Sequence, residues 1–125
     1  MDYKNYYIIK STPDQVYLGL TNPLTIHLWS GEEAEMEDKE GSEFSLFEGS
    51  IVGRNIELVP GKKIVQQWYF GDDGPESIVT ILLHPKGEYT SLELRHKNIP
   101  EQDYDDIVEG WNEVYMERLI EFYDE

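Results

Sequence analysis

The sequence predicts an α+β fold in which a curved antiparallel sheet of about six to seven strands packs against a long C-terminal helix. Residues 34–96 alternate apolar and polar side chains with a period of two, and turn residues interrupt them at short intervals, as in an antiparallel meander. Residues 12–29 contain two helix-start signals. After Pro100, apolar residues recur at spacings of three and four, which predicts a helix that covers the apolar face of the sheet.

The chain begins with a predicted strand, which is followed by two short helices. Residues 3–10, YKNYYIIK, are rich in aromatic and β-branched side chains, which favour strands. Thr12 precedes a proline and lies three residues before a glutamine, which is the pattern of a capping box. Asn22 also precedes a proline. We therefore expect one short helix after each of these two capping residues.

Five further strands are predicted before the last helix. They are EFSLF, SIVGRNIELV, KKIVQQWYF, SIVTILL and EYTSLELRH, and they are separated by a turn at residues 48–50, a Pro60-Gly61 turn and the loops GDDGPE and HPKGE. The stretch GEEAEMEDKEG, residues 31–41, is interpreted as a polar edge strand and turn, because charged side chains are typical of sheet edges.

The last 27 residues predict one long helix with a single apolar stripe. Pro100 ends the preceding strand, and the acidic residues that follow suit the positive end of a helix. The stripe consists of Tyr104, Ile107, Val108, Trp111, Tyr115, Leu119 and Phe122.

The composition narrows the classes of function. The 125 residues include 26 acidic and 10 basic ones, so the net charge is −16, and there is no cysteine. Such a surface repels nucleic acid and anionic membranes. It is either a coat that keeps the protein in solution or an acidic docking face for a basic partner. Without a signal peptide or a long apolar run, we expect a soluble cytoplasmic protein with no membrane span.

Motifs for metal binding and catalysis are not apparent in the sequence. His27, His84 and His96 lack metal-ligand spacing, and there is neither a G-x-S-x-G elbow nor a glycine-rich phosphate loop. We therefore predict no metal, no cofactor and no catalytic residue. His96 shares a strand face with two leucines, so it is either a hydrogen-bonded structural residue or part of the rim of a pocket.

Aromatic side chains from four different elements indicate the interior. Strand alternation places further residues on the concave face of the sheet with them. This interior is either an ordinary packed core or a ligand pocket, which would be mostly apolar with a few polar groups. The predicted ligand-binding residues are Trp29, Phe44, Gln66, Trp68, Val79, Ile81, Leu94, His96, Trp111 and Tyr115.

The sequence resembles a known family over nearly its whole length. The stretches TPDQVYLGLTNP, LWSGEEAEM, GSEFSLFEGSIVGRNIELVPGKKIVQQW, SIVTILL and HKNIP…GW…Y resemble the activator of heat-shock protein 90 ATPase homologue family, within the START-like, helix-grip superfamily. The resemblance implies a helix-grip fold and one START-like domain over residues 1–125. The chain departs from the family pattern at Tyr69, where the family usually has arginine, and in GDDGPE, which lacks a second tryptophan.

The resemblance also suggests a reason for Gly110, which lies in the middle of the last helix although glycine costs about 1 kcal/mol there relative to alanine. A helix gripped by a curved sheet brings its backbone close to a neighbour, and a residue without Cβ permits this approach. Trp111 would then point toward the sheet and help to line the interior, which could include a pocket wide enough for a ligand. Alternatively, Gly110 only relieves crowding beside a core tryptophan, or it allows a kink.

Three functions are compatible with these observations. Superfamily members often enclose a hydrophobic cavity, so the leading hypothesis is a non-enzymatic domain that holds a small hydrophobic or amphipathic ligand between the sheet and the C-terminal helix. The alternative is a co-chaperone-like protein that docks on a heat-shock protein 90-type chaperone and stimulates its ATPase. In eukaryotic co-chaperones a separate N-terminal domain precedes this one, and we expect the present chain to lack it. The third function, a cyclase or hydrolase, needs a polar catalytic group inside the cavity.

Overall fold

The computed structural model describes residues 1–71 and 75–124, so residues 72–74 of the predicted loop GDDGPE lie outside the described residues. A six-stranded antiparallel sheet, two short helices after the first strand and a C-terminal helix confirm the α+β, helix-grip fold. The elements are β1 (Tyr3–Ile9), α1 (Pro13–Thr21), α2 (Pro23–Ser30), β2 (Glu43–Leu46), β3 (Ile51–Val59), β4 (Lys63–Trp68), β5 (Ser77–Lys86), β6 (Tyr89–Lys97), a 3₁₀ turn (Glu101–Asp103), α3 (Tyr104–Gly110), a π-helical segment (Trp111–Met116) and α4 (Glu117–Tyr123).

The strand order is β1-β6-β5-β4-β3-β2, so the N-terminal strand forms one edge of the sheet and β2 forms the other. Neighbouring strands place their inward residues opposite each other, with Ile81 across from Leu94 and Val79 across from His96. The register of β3 against β4 shifts between Asn55 and Glu57. A shift of this kind bends and twists a strand, which helps the sheet to curve around the last helix.

The prediction of an edge strand within residues 31–41 is wrong. Glu35 makes one isolated bridge with Ser45, and β2 forms the edge instead. Five glutamates and one aspartate occupy these eleven residues, so few side chains are available to bury on the sheet. The segment is held by the backbone of Asn55, whose carbonyl accepts from Gly41 N (2.7 Å) and whose N–H donates to Ser42 O (2.8 Å).

Both predicted helix caps are confirmed. Thr12 Oγ1 accepts a hydrogen bond from Gln15 N (3.3 Å), and Asn22 Oδ1 accepts one from Thr25 N (3.0 Å). These bonds satisfy amide groups that have no partner inside the helix. The side chain of Trp29 then ties α2 to α1, because its Nε1 donates to the carbonyl of Gly19 (2.7 Å).

His84 and Pro85, predicted to lie in a turn, belong to the end of β5. The amide of Leu83 points to the β4 side of the strand and donates to Lys62 O (2.9 Å). Because backbone groups repeat with a period of two, the nitrogen of Pro85 points the same way, beyond the last β4 residue that pairs with β5. Proline therefore removes no hydrogen bond from the sheet here.

The C-terminal helix packs the middle of its predicted apolar stripe against the concave face of the sheet, whereas Tyr104, Ile107, Val108 and Phe122 of that stripe are only partly buried. Trp111, Tyr115 and Leu119 are all buried. Met116, which the predicted stripe does not include, is buried as well. The π-helical segment, in which hydrogen bonds join residues five apart, contains three of the helix's buried residues: Trp111, Tyr115 and Met116. In the described part of the chain, none of the helices combines the length and apolarity that a membrane span needs.

Candidate functional site

An open groove of about 480 Å³ lies between the C-terminal helix and the end of the sheet where β2 turns into β3. Four rings line its apolar part, which we call the aromatic floor: Phe47, Trp68, Trp111 and Tyr115. Three carboxylates line its mouth, and we call them the acidic rim: Glu32, Glu48 and Asp106. Ligand pockets in proteins typically have this volume and this mixture of an apolar surface with a few polar groups.

The aromatic floor joins the helix to the sheet through direct ring contacts. Trp111 stacks on Trp68 with ring centroids 4.8 Å apart and an interplanar angle of 22°. Tyr115 packs against Trp111 at 4.7 Å and against Trp29 of α2 at 5.0 Å. Offset and tilted pairs of this kind contribute about 0.5–1.5 kcal/mol beyond the area they bury. The four rings of the floor therefore support one another. Separately, burial raises the pKa of the Tyr115 hydroxyl.

Gly110 faces the groove and does not serve a close approach of backbones. Apart from its own helix backbone and its two chain neighbours, no heavy atom of the described residues lies within 4 Å of the position that a Cβ on Gly110 would occupy. Its φ of −60° and ψ of −41° suit any residue. The prediction that the helix backbone touches a neighbour at Gly110 is therefore wrong. Close contact occurs instead at Gly53 of β3, where a Cβ would overlap the carbonyl oxygen of Gln67.

The turn between β2 and β3 presents Phe47 to the groove in an unusual backbone conformation. Phe47 (φ 52°) and Glu48 (φ 56°) both lie in the left-handed region, which residues other than glycine rarely adopt. The turn therefore includes Phe47, one residue more than predicted. Arg118 holds the ring from the helix side: its guanidinium lies 5.8 Å from the ring centroid, and its Nη1 donates to Ser30 O (2.6 Å).

The acidic rim places like charges close together. Hydrogen bonding and repulsion between Glu48 and Glu32 raise the pKa of the Glu48 carboxyl, and Glu33 adds to the repulsion. Asp106 lies on the opposite wall, on α3. Among the described groove residues, these three carboxylates face one guanidinium, that of Arg118. The mouth of the groove is therefore negative.

His96 lies behind the aromatic floor, in the interior of the protein, and not at the rim. Its side chain is 0% exposed, and its Nδ1 accepts a hydrogen bond from Trp111 Nε1 (3.0 Å). The indole N–H can only donate, so Nδ1 carries no proton and Nε2 carries it. Nε2 therefore donates to Ser77 Oγ (2.8 Å), and Ser77 donates to Lys97 O (3.2 Å). This direction makes Ser77 an acceptor from His96, so the histidine does not activate the serine. Burial lowers the pKa of His96 to about 4.

Gln66 belongs to a second buried hydrogen-bonded chain. Its Nε2 donates to Asn55 Oδ1 (3.0 Å), and its Oε1 accepts from Trp68 Nε1 (3.1 Å). Asn55 Nδ2 continues the chain to the carbonyl of Glu37 (3.2 Å). In the part of the chain that the structure describes, every buried side-chain nitrogen and oxygen has a partner. Gln66 and His96 are the polar residues that the sequence predicts for ligand contact. In the structure their hydrogen bonds hold Trp68 and Trp111 in place.

The ten predicted ligand-binding residues divide between the groove and the packed interior. Trp68, Trp111 and Tyr115 line the groove. The other seven are buried in the interior around it: Trp29, Phe44, Gln66, Val79, Ile81, Leu94 and His96.

Sequence reasoning missed the groove residues that lie in turns and at the mouth. The helix period could have found Arg118, which lies three and seven residues after Tyr115 and Trp111 and therefore on the same face. Phe47 had no such signal, because its position depends on an unusual backbone angle. Metal ligands do not converge within residues 1–71 and 75–124, where no three histidine, aspartate or glutamate side chains could hold an ion together.

Comparison with known proteins connects this architecture to a family. Residues 10–123 match the profile of the family described as "Activator of Hsp90 ATPase homolog 1-like protein". The activator of 90 kDa heat shock protein ATPase homolog of Dictyostelium discoideum is 33% identical over 111 residues, which cover 86% of this chain and 29% of that protein. The human activator homolog 1 is 26% identical over 111 residues, which cover 87% of this chain and 33% of that protein.

A solved structure shares both the fold and part of the sequence. The crystal structure of an HSP90 activator from Plasmodium falciparum superposes with a TM-score of 0.85 at 28% identity, and the match covers 95% of this chain and 93% of that one. In contrast, the chain spans about a third of the length of the two curated relatives described above.

Proposed function

Because the chain belongs to the family of Activator of Hsp90 ATPase homolog 1-like proteins, we propose that it docks on a heat-shock protein 90-type chaperone and stimulates the chaperone's ATPase. The family match over residues 10–123 is the observation that carries this proposal. The Plasmodium falciparum neighbour, whose length this chain nearly covers, is named as an activator of the same chaperone and supports it.

A pair of exposed leucines on α2 supplies a surface for such docking. Leu24 is 67% exposed and Leu28 is 61% exposed, and their spacing of four residues places them side by side on one helix face. Pro23 and Ala34 lie beside Leu24 in a shallow depression. Large apolar side chains that are exposed together often mark a contact with another protein. We therefore place the chaperone contact on this leucine pair.

The double substitution L24D/L28D is expected to weaken chaperone binding about tenfold or more, because two apolar side chains lose their burial in the complex. Binding of the purified protein to a purified heat-shock protein 90-type chaperone measures this, together with the rate of ATP hydrolysis. The matched control is Y6D/I8D on β1, which changes two other exposed apolar residues and adds the same charge. Equal losses in both variants would contradict the leucine pair as the contact. A chaperone that neither binds the unaltered protein nor responds to it would overturn the proposed function.

As a second candidate function, we propose that the groove holds a small apolar or amphipathic molecule between the sheet and the C-terminal helix. The observation that favours it is Gly110. This residue weakens the helix and packing does not require it, yet its missing side chain leaves open space in the groove that it lines. A binding role for the groove would explain why glycine occupies position 110.

The substitution G110L is expected to abolish binding of 1-octanol to the groove, because the leucine side chain fills the space above the aromatic floor. The matched control G110A adds only a Cβ and retains binding, and both variants gain about 0.4–1 kcal/mol of stability from the better helix former. Fluorescence of the tryptophans in the floor during titration with 1-octanol reports binding. Binding that survives in G110L would place the ligand elsewhere, and no binding by the unaltered protein would overturn this second function.

A further inference from the structure

We propose that the groove selects small amphipathic cations, in which an amine is joined to an apolar chain or ring, over neutral or anionic molecules of the same shape; this rests on the ligand-binding function proposed for the groove.

The first argument is the balance of charge at the mouth. Glu32 and Glu48 stand on one wall and Asp106 stands on the other, whereas Arg118 supplies the positive charge among the described lining residues. The guanidinium of Arg118 already donates to the carbonyl of Ser30 and lies against Phe47. The three carboxylates outnumber the single guanidinium by two. An ammonium group placed between the walls would therefore meet an excess of negative charge.

The interaction between two rim carboxylates in the free protein also favours a cationic ligand. Glu32 and Glu48 line the same groove, and hydrogen bonding and repulsion between them raise the pKa of the Glu48 carboxyl. A cation between them would relieve that repulsion. An anion would add to this repulsion, so the rim carboxylates would repel a carboxylate ligand that approaches the aromatic floor.

The aromatic floor suits the same ligand at the other end of the groove. The rings of Phe47, Trp68, Trp111 and Tyr115 form an apolar surface that an alkyl chain or a ring can cover. The apolar body of the ligand would cover the edges of Trp68 and Trp111, while its ammonium group would remain at the wet rim between the carboxylates.

Three probes of equal chain length separate charge from apolar contact: octylammonium, 1-octanol and octanoate at neutral pH. The unaltered protein is expected to bind octylammonium about tenfold more tightly than 1-octanol, which is the gain expected from two or three exposed ion pairs, and octanoate more weakly than either. Calorimetry and tryptophan fluorescence measure the three affinities. Added salt should reduce the preference, because exposed charges are screened.

Two matched variants assign the preference to the rim rather than to the general negative charge. E32Q/E48Q removes two rim carboxylates and is expected to reduce the preference for octylammonium to about twofold. E109Q/E113Q removes the same charge from the outer side of the helix, where Glu113 raises the pKa of Glu109 in the same way. This control is expected to keep the tenfold preference.

The outcomes distinguish this proposal from the function on which it rests. If 1-octanol and octylammonium bind equally, the groove holds ligands but the charge preference is wrong. If octanoate binds best, Arg118 is the anchor and the proposal is overturned. If E109Q/E113Q loses the preference as E32Q/E48Q does, the effect belongs to the whole surface and not to the rim. If none of the three probes binds, both the selectivity and the ligand function fall.

Discussion

Replacing Trp111 with alanine is expected to lower the free energy of unfolding by about 4 kcal/mol or more, which is the largest effect we predict for a single residue. Trp111 is 2% exposed, and truncating a core tryptophan alone costs about 3–5 kcal/mol. The change also removes the only donor to His96 Nδ1 that the described residues supply. A buried acceptor left without a partner costs about a further 1–3 kcal/mol.

Urea unfolding followed by circular dichroism tests this expectation. The variant W111F keeps a ring on Trp68 but lacks the N–H group, so its loss is expected to be about 2 kcal/mol, close to the cost of the unpaired acceptor. The control V114A changes an adjacent part of the helix whose side chain is 37% exposed, and it should cost less than about 1 kcal/mol. A W111A variant that is no less stable than V114A would show that the tryptophan stack does not join helix to sheet.

The fold could be predicted because its signals are local and repeated. Thr12 and Asn22 mark helix starts through bonds to amides three residues away. The alternation along β4 and β5 predicts which residues face the helix. In the C-terminal helix, the spacing of Trp111 and Tyr115 predicts the buried face. Each of these signals depends on residues within one turn or one strand, and neighbouring signals agree with one another.

The groove could not be predicted in the same way, because it depends on contacts between distant parts of the chain. Phe47 and Trp111 are far apart in sequence, and they line the same groove only because the β2–β3 turn adopts left-handed angles. The role of His96 depends on Trp111 and Ser77, which lie on either side of it in the sequence. The sequence shows that Gly110 is unusual. Whether a neighbour or empty space faces it follows only from the assembled structure.

The same interior predicts how stability depends on pH. His96 has a pKa of about 4 in the folded protein, because burial disfavours its charged form, whereas an unfolded chain gives histidine about 6.5. The charge of Asp2 raises this pKa and the N-terminal amine lowers it, each with a smaller effect than burial. Well above pH 6.5 the imidazole is neutral in both states. Between pH 6.5 and 4 the unfolded state binds a proton that the folded state does not, so the free energy of unfolding decreases as the pH decreases. Below pH 4 this loss levels off. The gap between the two pKa values corresponds to about 3 kcal/mol.

Unfolding by urea between pH 7.5 and 4 measures this loss directly. We expect the variant H96Q to be less stable at pH 7.5 but to lose little further stability down to pH 5, because glutamine does not titrate. The control H27Q removes an exposed histidine from α2 and is expected to keep the slope of the unaltered protein. Glu93, whose pKa is lowered mainly by its hydrogen bond with His84, loses its stabilisation only at lower pH. Glu48 and Glu109, whose pKa values are raised, bind protons more readily in the folded state and so add stability as the pH falls. A loss of stability between pH 6.5 and 5 therefore belongs to His96. A slope that persists in H96Q would mean that another group carries the proton, and that His96 can be charged inside the fold without cost.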